Sequence, residues 1–323
     1  MKCQSPSDFA LLGTSPLREE AFTRAGPRRK APHEVGSWPS LRGLRGFAAC
    51  PMPETHPRKG PPMIQSVSTA EHKTEYLRRI ANKPYFEAVL GTHLRLFGQH
   101  PASGWAFYLL PGTAVLELRG GSAVVCGALP GGSAGEDARE ELAGFLRFLC
   151  ADRLRTEQPL ALAGWQPAAP LTLWELPQGS ALPLPPAYPA ALVRDTAPSM
   201  LPVSRLVFAE NDAEADEFYS TACTALAHGV GVCHALLQDG RPVCTVGCYE
   251  QSSTESYMAA GVTDPAWRGR GLARRLIVEM ANTLAAERTV RFACEQTLCG
   301  FYEQLGFIQN SKINYYTTDW NMQ

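Results

Sequence analysis

The sequence predicts two folded units of mixed α/β class behind a basic leader. The chain has 323 residues, more than a typical single domain of about 100–200 residues. Its charge is divided unevenly, because residues 1–62 hold 10 Lys and Arg against 5 Asp and Glu, whereas residues 63–323 are acidic. Within 63–323, stretches with helical and with strand-like periodicity alternate, which is the pattern of α/β proteins.

The leader, residues 1–62, is rich in residues that break regular structure. It holds 10 of the 26 prolines and has no helical or strand periodicity, so we expect it to be disordered and dispensable. An arginine-rich targeting peptide is an alternative, although such peptides are poor in acidic residues and this segment contains several glutamates. Met52 and Met63 are alternative translation starts that would remove most of it.

The composition of the whole chain argues against several classes of protein. The formal net charge of −1 does not indicate a nucleic-acid binder. No run of about 18 apolar residues predicts a membrane span, and a secretory signal is not evident. Ten cysteines lack the spacing of a zinc site. We therefore expect a cytoplasmic protein with reduced thiols and no bound metal, nucleic acid or membrane, and its oligomeric state stays open.

Helices and strands alternate in the first half, predicted as residues 63–180. Apolar residues recur at helical spacing over 69–98, where Pro84 interrupts the helix. Strand-like runs and a glycine-rich loop come next, and a helix over 136–150 and a strand over 171–176 complete the half. The strand-like runs are 105–110, 114–118 and 123–126, and the loop is 130–135.

Residues 181–203, rich in Pro, Ala and Leu, are predicted to link this half to a second domain over 204–323. A helix over 213–227 is followed by two apolar runs around Asp239-Gly240, a strong β-hairpin signal. Apolar residues at helical spacing predict a long helix over 269–286. The remaining predicted elements are strands over 232–237, 243–250, 256–263 and 289–294, a short helix over 298–305, and a closing hairpin of 307–309 with 312–318.

The stretch from Gly261 to Ala273 has the pattern of a phosphate-binding site. It reads Gly-Val-Thr-Asp-Pro-Ala-Trp-Arg-Gly-Arg-Gly-Leu-Ala and leads from a strand through a short loop into a helix. Gly269 and Gly271 let the backbone approach a ligand closely. The unpaired amides and the dipole of a helix start suit a diphosphate. Three arginines add positive charge: Arg268, Arg270 and Arg274. A basic helix start without a ligand is the alternative.

A second motif, Phe301-Tyr302-Glu303-Gln304-Leu305-Gly306-Phe307, lies about 30 residues further along. With both motifs in this order, roughly residues 204–320 resemble the GNAT superfamily of N-acetyltransferases. The acetyl-CoA loop of that family reads Gln/Arg-x-x-Gly-x-Gly/Ala, matched here by Arg268-x-x-Gly271-x-Ala273. The later family motif, Tyr-Glu-x-x-Gly-Phe, is matched from Tyr302. The sequence departs from the family at Glu295 and Leu298, where Asn and Ala are common.

The resemblance implies a mixed central sheet, flanked by helices, that opens between two strands to admit acetyl-CoA as co-substrate. The pantetheine arm would pair with the strand edge at Val262 and Thr263, where an amide could also hold the thioester oxygen. Tyr302 matches the tyrosine that often protonates the departing thiolate, the alternative being a ring packed on the sulfur. The residues implied to bind the diphosphate are Arg268, Gly269, Arg270, Gly271, Leu272, Ala273 and Arg274.

An amine acceptor must lose a proton before it attacks a thioester, because alkyl amines are mostly protonated near neutral pH. Glu250 and Glu255 lie at the ends of neighbouring predicted strands and are the candidate bases. Tyr257, His228 and His234 are weaker candidates. A solvated hairpin charge is the alternative for each glutamate. The family usually transfers the acetyl group directly, so the cysteines are expected to be packing thiols.

The first half follows the same order of elements over 64–176. Its loop lacks the acetyl-CoA pattern and places Glu136 and Asp137 where they would repel an anion. We therefore expect a tandem GNAT-like architecture, α/β (α+β) in class, with a degenerate first half that no longer binds CoA and covers the acceptor site of the second. An unrelated α/β domain is the alternative.

These features favour an N-acetyltransferase that moves an acetyl group directly from acetyl-CoA to a primary amine of a small molecule or peptide. The acidic charge of residues 63–323 mildly favours a cationic acceptor. Two alternatives stay open. One is a CoA-binding regulatory or scaffold protein without turnover, and the other is transfer of a longer acyl group.

Overall fold

The computed structural model describes residues 64–100 and 103–318, so the predictions for residues 1–62 lie outside the described residues. Twelve strands occur in the described ranges: β1 Gln65–Ser66, β2 Trp105–Leu109, β3 Val115–Arg119, β4 Ser122–Cys126, β5 Arg153–Thr156, β6 Gln166–Leu176, β7 Val193–Asp195, β8 Val232–Gln238, β9 Arg241–Gln251, β10 Glu255–Thr263, β11 Thr289–Cys294 and β12 Ile308–Thr317. The helices of these ranges are α1 Ala70–Ile80, α2 Phe86–Phe97, α3 Gly132–Phe148, α4 Met200–Val207, α5 Asp212–Ala227, α6 Leu272–Ala285 and α7 Cys299–Leu305.

Each half builds its part of the sheet in the same way. Strands β2, β3 and β4 pair antiparallel, α3 follows, and β5 then pairs parallel to β4. In the second half β8, β9 and β10 pair antiparallel, α6 follows, and β11 pairs parallel to β10. A helix is needed between the parallel strands, because the chain must return to the same end of the sheet. The mixed α/β class is confirmed.

The last strand of each half lies inside the other half. The strand order is β1-β2-β3-β4-β5-β12-β6-β11-β10-β9-β8-β7. Thus β6, from the first half, pairs with β11 of the second, and β12, from the second half, pairs with β5 of the first. Strands β6 and β12 also pair with each other. The connection predicted over 181–203 therefore joins two halves whose strands form one continuous sheet.

The closing hairpin predicted for 307–309 and 312–318 is wrong. One continuous strand, β12, runs through both segments, with a register shift near Asn310. Because β6 supplies the neighbouring strand, the segment has no need to fold back on itself.

Four short elements escaped the sequence prediction. They are β1, β5, β7 and α4; β7 lies within the predicted linker, and α4 begins in it. In addition, α3 begins at Gly132, so Glu136 and Asp137 lie in its second turn and not at its start.

The helices divide between the two faces of the sheet. Helices α6 and α7 cover one face, where Met258 and Phe292 join their core. Helices α1 and α2 of the first half cover the other face, and Tyr257 and Ala293 from the second half belong to that core. The first half therefore packs directly on β9 and β10 of the second half. None of the helices in the described ranges has the length and apolar character to cross a membrane.

Candidate active site

Strands β10 and β11 separate after a short stretch of pairing. They are in register only from Glu255 to Tyr257 on β10 and from Thr289 to Arg291 on β11. Further along, β10 continues to Thr263 and stays paired with β9 alone. A bulge also re-aims β10 here, where Ala260 has a φ of +54°. The result is a gap between two parallel strands in the middle of the sheet, and one edge of β10 faces it.

The loop after β10 leads from this gap into α6. Gly269 and Gly271 both have a φ of +73°, and a Cβ at either position would meet no atom within 4 Å. The positive φ at these two positions requires glycine, and the absence of side chains leaves open space beside the backbone. The amides of the first turn of α6 have no acceptor within the helix. Free amides at a helix start are the kind of group that binds a phosphate, as the sequence predicts for this loop.

The three arginines of this loop take different positions. Arg268 Nε donates to the carbonyl of Thr263 at 3.2 Å, so this side chain turns back onto β10. Arg270 lies 4.5 Å above the ring of Trp267. Arg274 donates to Gln304 of α7 at 3.1 Å. Arg270 and Arg274 thus flank the start of α6 and add positive charge around the amides.

Two other residues of the predicted CoA site offer only their backbone to a ligand. The side chain of Leu272 is buried in the core beneath α6. Thr263 is buried as well, and its hydroxyl donates to Cys244 Sγ at 3.3 Å. Val262 and Thr263 pair with β9 through one edge. Their other edge lies along the gap, as pairing with an extended pantetheine arm requires.

Tyr302 lies on the α6–α7 face of the gap. It is 2% exposed, and its ring is 4.3 Å from that of Phe292 on β11. Burial raises the pKa of its hydroxyl well above 10, helped by the nearby Cys294 and Tyr257. No hydrogen bond joins that hydroxyl to another described residue. Tyr302 therefore keeps its proton at neutral pH and has it free to donate.

Glu250 lies on the opposite face. It stands directly across from Tyr257 in the β9–β10 ladder, so both side chains point to the α1–α2 side. Its Oε1 is 3.7 Å from Nε2 of His93 on α2, and its Oε2 is buried without a hydrogen-bond partner. The other ring nitrogen of His93 is 3.0 Å from each carboxylate oxygen of Glu117 on β3. Two first-half residues therefore hold the candidate base in place.

His93 is positively charged in this arrangement. Burial lowers its pKa, but Glu117 and then Glu250 outweigh that effect and raise the pKa to about 9. The ring of Trp105 also lies 4.2 Å from the imidazole. The imidazolium contacts only Oε1 of Glu250, so the second carboxylate oxygen, Oε2, is without a hydrogen-bond partner.

The raised pKa of His93 predicts a fall in stability at alkaline pH. Since the folded pKa of about 9 exceeds the ordinary histidine pKa of 6.5, the stabilisation is complete below pH 6.5 and is lost as the pH rises through 9. Urea unfolding at pH 6 and pH 10 should show a loss of stability on the order of 3 kcal/mol. His93→Gln should be less stable at pH 6, and its free energy of unfolding should depend less on pH. His228→Gln, at an exposed position, should keep the pH dependence of the unchanged protein. Equal slopes in all three proteins would contradict this assignment.

Glu255, the other candidate base, is already engaged. Arg291 Nε donates to its Oε1 at 2.8 Å, and the amide of Tyr85 donates to its Oε2 at 3.2 Å. It lies at the paired end of β10, beside a second contact of Arg291 with Glu175. With both oxygens accepting hydrogen bonds, Glu255 has no open position for a substrate proton, and we expect it to stabilise the interface.

The weaker candidates lie in different places. Tyr257 borders the gap, and burial raises its pKa well above 10. His228 follows α5 and is exposed, with Nδ1 2.9 Å from the carbonyl of Thr224. His234 lies on β8, separated from the gap by β9 and β10, and Arg194 contacts its Nδ1 at 3.1 Å. Neither histidine is at the gap.

The corresponding strands of the first half do not separate. Strands β4 and β5 pair over four residues, and the amide of Glu157 then donates to the carbonyl of Val125, so the pairing continues to the strand ends. The carboxylate of Glu157 also accepts from the amide of Gly127 at 2.8 Å and from Lys83 at 2.7 Å. The first half therefore has no opening between its parallel strands.

The buried thiols near the gap have raised pKa values. Burial raises the pKa of Cys244 and of Cys248 to about 12 in each case, which keeps them protonated. Within the part of the chain that the structure describes, no group of three or more His, Cys, Asp or Glu side chains is arranged as a metal site.

The comparisons with known proteins agree with this geometry. The family model for an acetyltransferase (GNAT) domain matches residues 230–309, which include β8 to β11, α6 and α7. Among curated protein sequences, none matches this chain.

Solved structures extend the likeness to both halves. A tandem GNAT protein from the clavulanic acid biosynthesis pathway is 16% identical with a TM-score of 0.55, covering 79% of this chain and 97% of its own. A GCN5-related N-acetyltransferase from Sphaerobacter thermophilus is 14% identical with a TM-score of 0.53, covering 79% and 95%. A Drosophila protein is 12% identical with a TM-score of 0.55, covering 79% and 98%. At these identities the likeness shows the fold, and the tandem architecture is confirmed.

Proposed function

Because the chain contains a GNAT acetyltransferase domain within a tandem GNAT fold, we propose that it transfers an acetyl group from acetyl-CoA directly to a primary amine. The observation that supports this most strongly is the gap between β10 and β11, with the amides of the α6 start at its mouth. When bound, acetyl-CoA supplies an activated acyl group as a thioester. We further propose that the protein works in the cytoplasm, where its buried cysteines stay reduced.

The proposed roles follow from where each group lies. The amides of residues 269–273 hold the diphosphate, and the free edge of β10 at Val262 and Thr263 holds the pantetheine arm. Glu250 Oε2 accepts a proton from the amine, and Tyr302 Oη holds a proton for the leaving sulfur. The net reaction forms a C–N bond and breaks a C–S bond, and one proton leaves nitrogen while one reaches sulfur. The group that accepts a proton, Glu250, and the group that donates one, Tyr302, lie on opposite faces of the same gap.

The direct test is release of CoA thiol from acetyl-CoA in the presence of an amine panel. We expect thiol release that depends on the amine, with a stoichiometric acetylated product. Tight CoA binding without amine-stimulated release would favour a regulatory or scaffold protein. Competition between acetyl-CoA and longer acyl-CoAs would reveal a different donor.

The two candidate bases can be separated by a matched pair of variants. Glu250→Gln should lower kcat by about 100-fold or more with folding retained, since general-base catalysis is worth about 10²–10⁴. Glu255→Gln should instead lower thermal stability, because it weakens the pair with Arg291, while kcat per folded molecule changes little. The opposite pattern would transfer the role of base to Glu255.

Tyr302→Phe should lower kcat by about 10- to 100-fold with little change in CoA affinity, because only the proton of the hydroxyl is lost. Tyr316→Phe is the control, since that tyrosine is also buried but its hydroxyl binds the amide of Leu160 in the first half. Steady-state kinetics and CoA binding by calorimetry measure the two effects. Unchanged turnover in Tyr302→Phe would leave the ring as a packing group.

A further inference from the structure

An arginine of the first half, without a carboxylate partner among the described residues, contacts the Tyr85–Tyr257 ring pair on the α1–α2 face, and Tyr257 borders the gap of the second half. Arg155 stands on β5, directly across from Tyr315 of β12. It donates one long hydrogen bond, 3.4 Å, to Tyr85 Oη. Among the described residues, no carboxylate lies within ion-pair distance of its guanidinium. It is partly buried and keeps some solvent access, so an anion can still reach it.

The position of Arg155 relative to the candidate base is set by two tyrosines. The ring of Tyr85 lies 5.0 Å from that of Tyr257 in an edge contact. Tyr257 in turn stands across from Glu250. Arg155 and Tyr257 point to the α1–α2 face, because their strand neighbours Leu154 and Met258 belong to cores on the other face. Tyr85, just before α2, belongs to the core on the α1–α2 face. The guanidinium of Arg155 and the carboxylate of Glu250 therefore lie on two sides of the ring pair that the preceding contacts define.

The backbone holds Tyr85 in this place at a cost. Its φ of +73° and ψ of −52° are rare for a residue with a large side chain. The amide of Tyr85 donates to Glu255, and its ring packs against Phe86 and Tyr257. Contacts from both halves thus maintain the strained conformation, and they keep its hydroxyl on Arg155.

We infer that the acceptor is a primary amine that also carries a carboxylate, an amino-acid-like molecule whose carboxylate binds Arg155 while its amine faces Glu250. The planar guanidinium has parallel donors that match a carboxylate. The free Oε2 of Glu250 suits an ammonium group that must lose a proton. The first half, without a gap of its own, would thereby determine the specificity of the second. This inference rests on the proposed acetyl transfer.

The test compares amino acids with their amides, which keep the amine and chain length but lack the negative charge. Glycine, β-alanine and γ-aminobutyrate are each paired with the corresponding amide, and thiol release from acetyl-CoA is compared per unprotonated amine. For the best pair we expect kcat/KM at least 30-fold higher for the carboxylate. Arg155→Gln should reduce this ratio below threefold, mainly through a higher KM for the carboxylate substrate.

Two further variants keep the result interpretable. Arg155→Lys retains the charge without the paired donors and should keep part of the preference for the acid over the amide. This variant also tests the inference if Arg155→Gln does not fold. Arg153→Gln, two residues away on β5, should retain all of it. The inference is overturned if the wild-type protein uses amides equally well, or if Arg155→Gln lowers the rates of acid and amide alike.

Binding without transfer separates this inference from the proposed function. Calorimetry measures N-acetyl-β-alanine against N-acetyl-β-alaninamide, neither of which can accept an acetyl group at its acylated nitrogen. If the protein shows no turnover but binds N-acetyl-β-alanine in a way that depends on Arg155, the result would support the carboxylate site and refute acetyl transfer. Transfer to amines with no effect of the carboxylate in either assay would retain acetyl transfer and refute the site.

Discussion

Replacing Ile313 with aspartate is expected to unfold both halves of the protein together. Ile313 is 1% exposed and lies in the core between the sheet and helices α1 and α2. It belongs to β12, which pairs with β5 of the first half and β6 beside it. An unpaired carboxylate there costs several kcal/mol, a large part of the roughly 5–15 kcal/mol that stabilises a typical domain. The damage reaches the first half because β12 is part of its sheet.

Ile308→Asp is the matched control, since Ile308 lies on the same strand but is 53% exposed. It should change the free energy of unfolding by less than about 0.5 kcal/mol. Circular dichroism reports the total loss of structure, and hydrogen exchange followed by mass spectrometry reports each helix. In Ile313→Asp the amides of α3 should lose protection together with those of α6. Continued protection of α3 would show that the first half folds independently of β12.

The elements that the sequence predicted well are those with a strong local cause. Asp239 and Gly240 both have positive φ and turn β8 into β9, as an Asp-Gly pair between apolar runs indicates. Gly306 ends α7 in the left-handed conformation. By contrast, β5 has four residues, two of them arginines, and is stabilised by neighbours far away in the chain. The exchange of β6 and β12 likewise depends on long-range pairing that no local pattern reports.

The same distinction applies to the candidate site. The glycines and arginines of the α6 start could be predicted because adjacent residues build an amide cradle. His93, Glu117, Tyr85 and Arg155 were missed because each approaches the gap from the first half. A signal for two of them exists, since Glu117 interrupts an apolar strand and His93 lies on the buried face of α2. A buried polar residue among apolar ones calls for a partner, but the sequence does not say which one.

Gly271→Glu is expected to raise the dissociation constant for CoA at least 100-fold. A side chain at this position enters the open space over the amides of the α6 start, and its negative charge repels a diphosphate there. The φ of +73° also makes any side chain strained, at about 1 kcal/mol. A loss of affinity therefore needs a control that carries the same strain and the same charge.

The first half offers that control at Gly132. It too has a positive φ, +65°, lies at the start of a helix that follows a β-strand, and would meet no atom within 4 Å of an added Cβ. Gly132→Glu should lose a similar amount of stability and keep its CoA affinity, because β4 and β5 leave no gap beside it. Calorimetric titration of both variants with CoA, together with thermal unfolding, decides between the halves. Weakened binding in Gly132→Glu, or full binding in Gly271→Glu, would mean that the cofactor lies elsewhere than between β10 and β11.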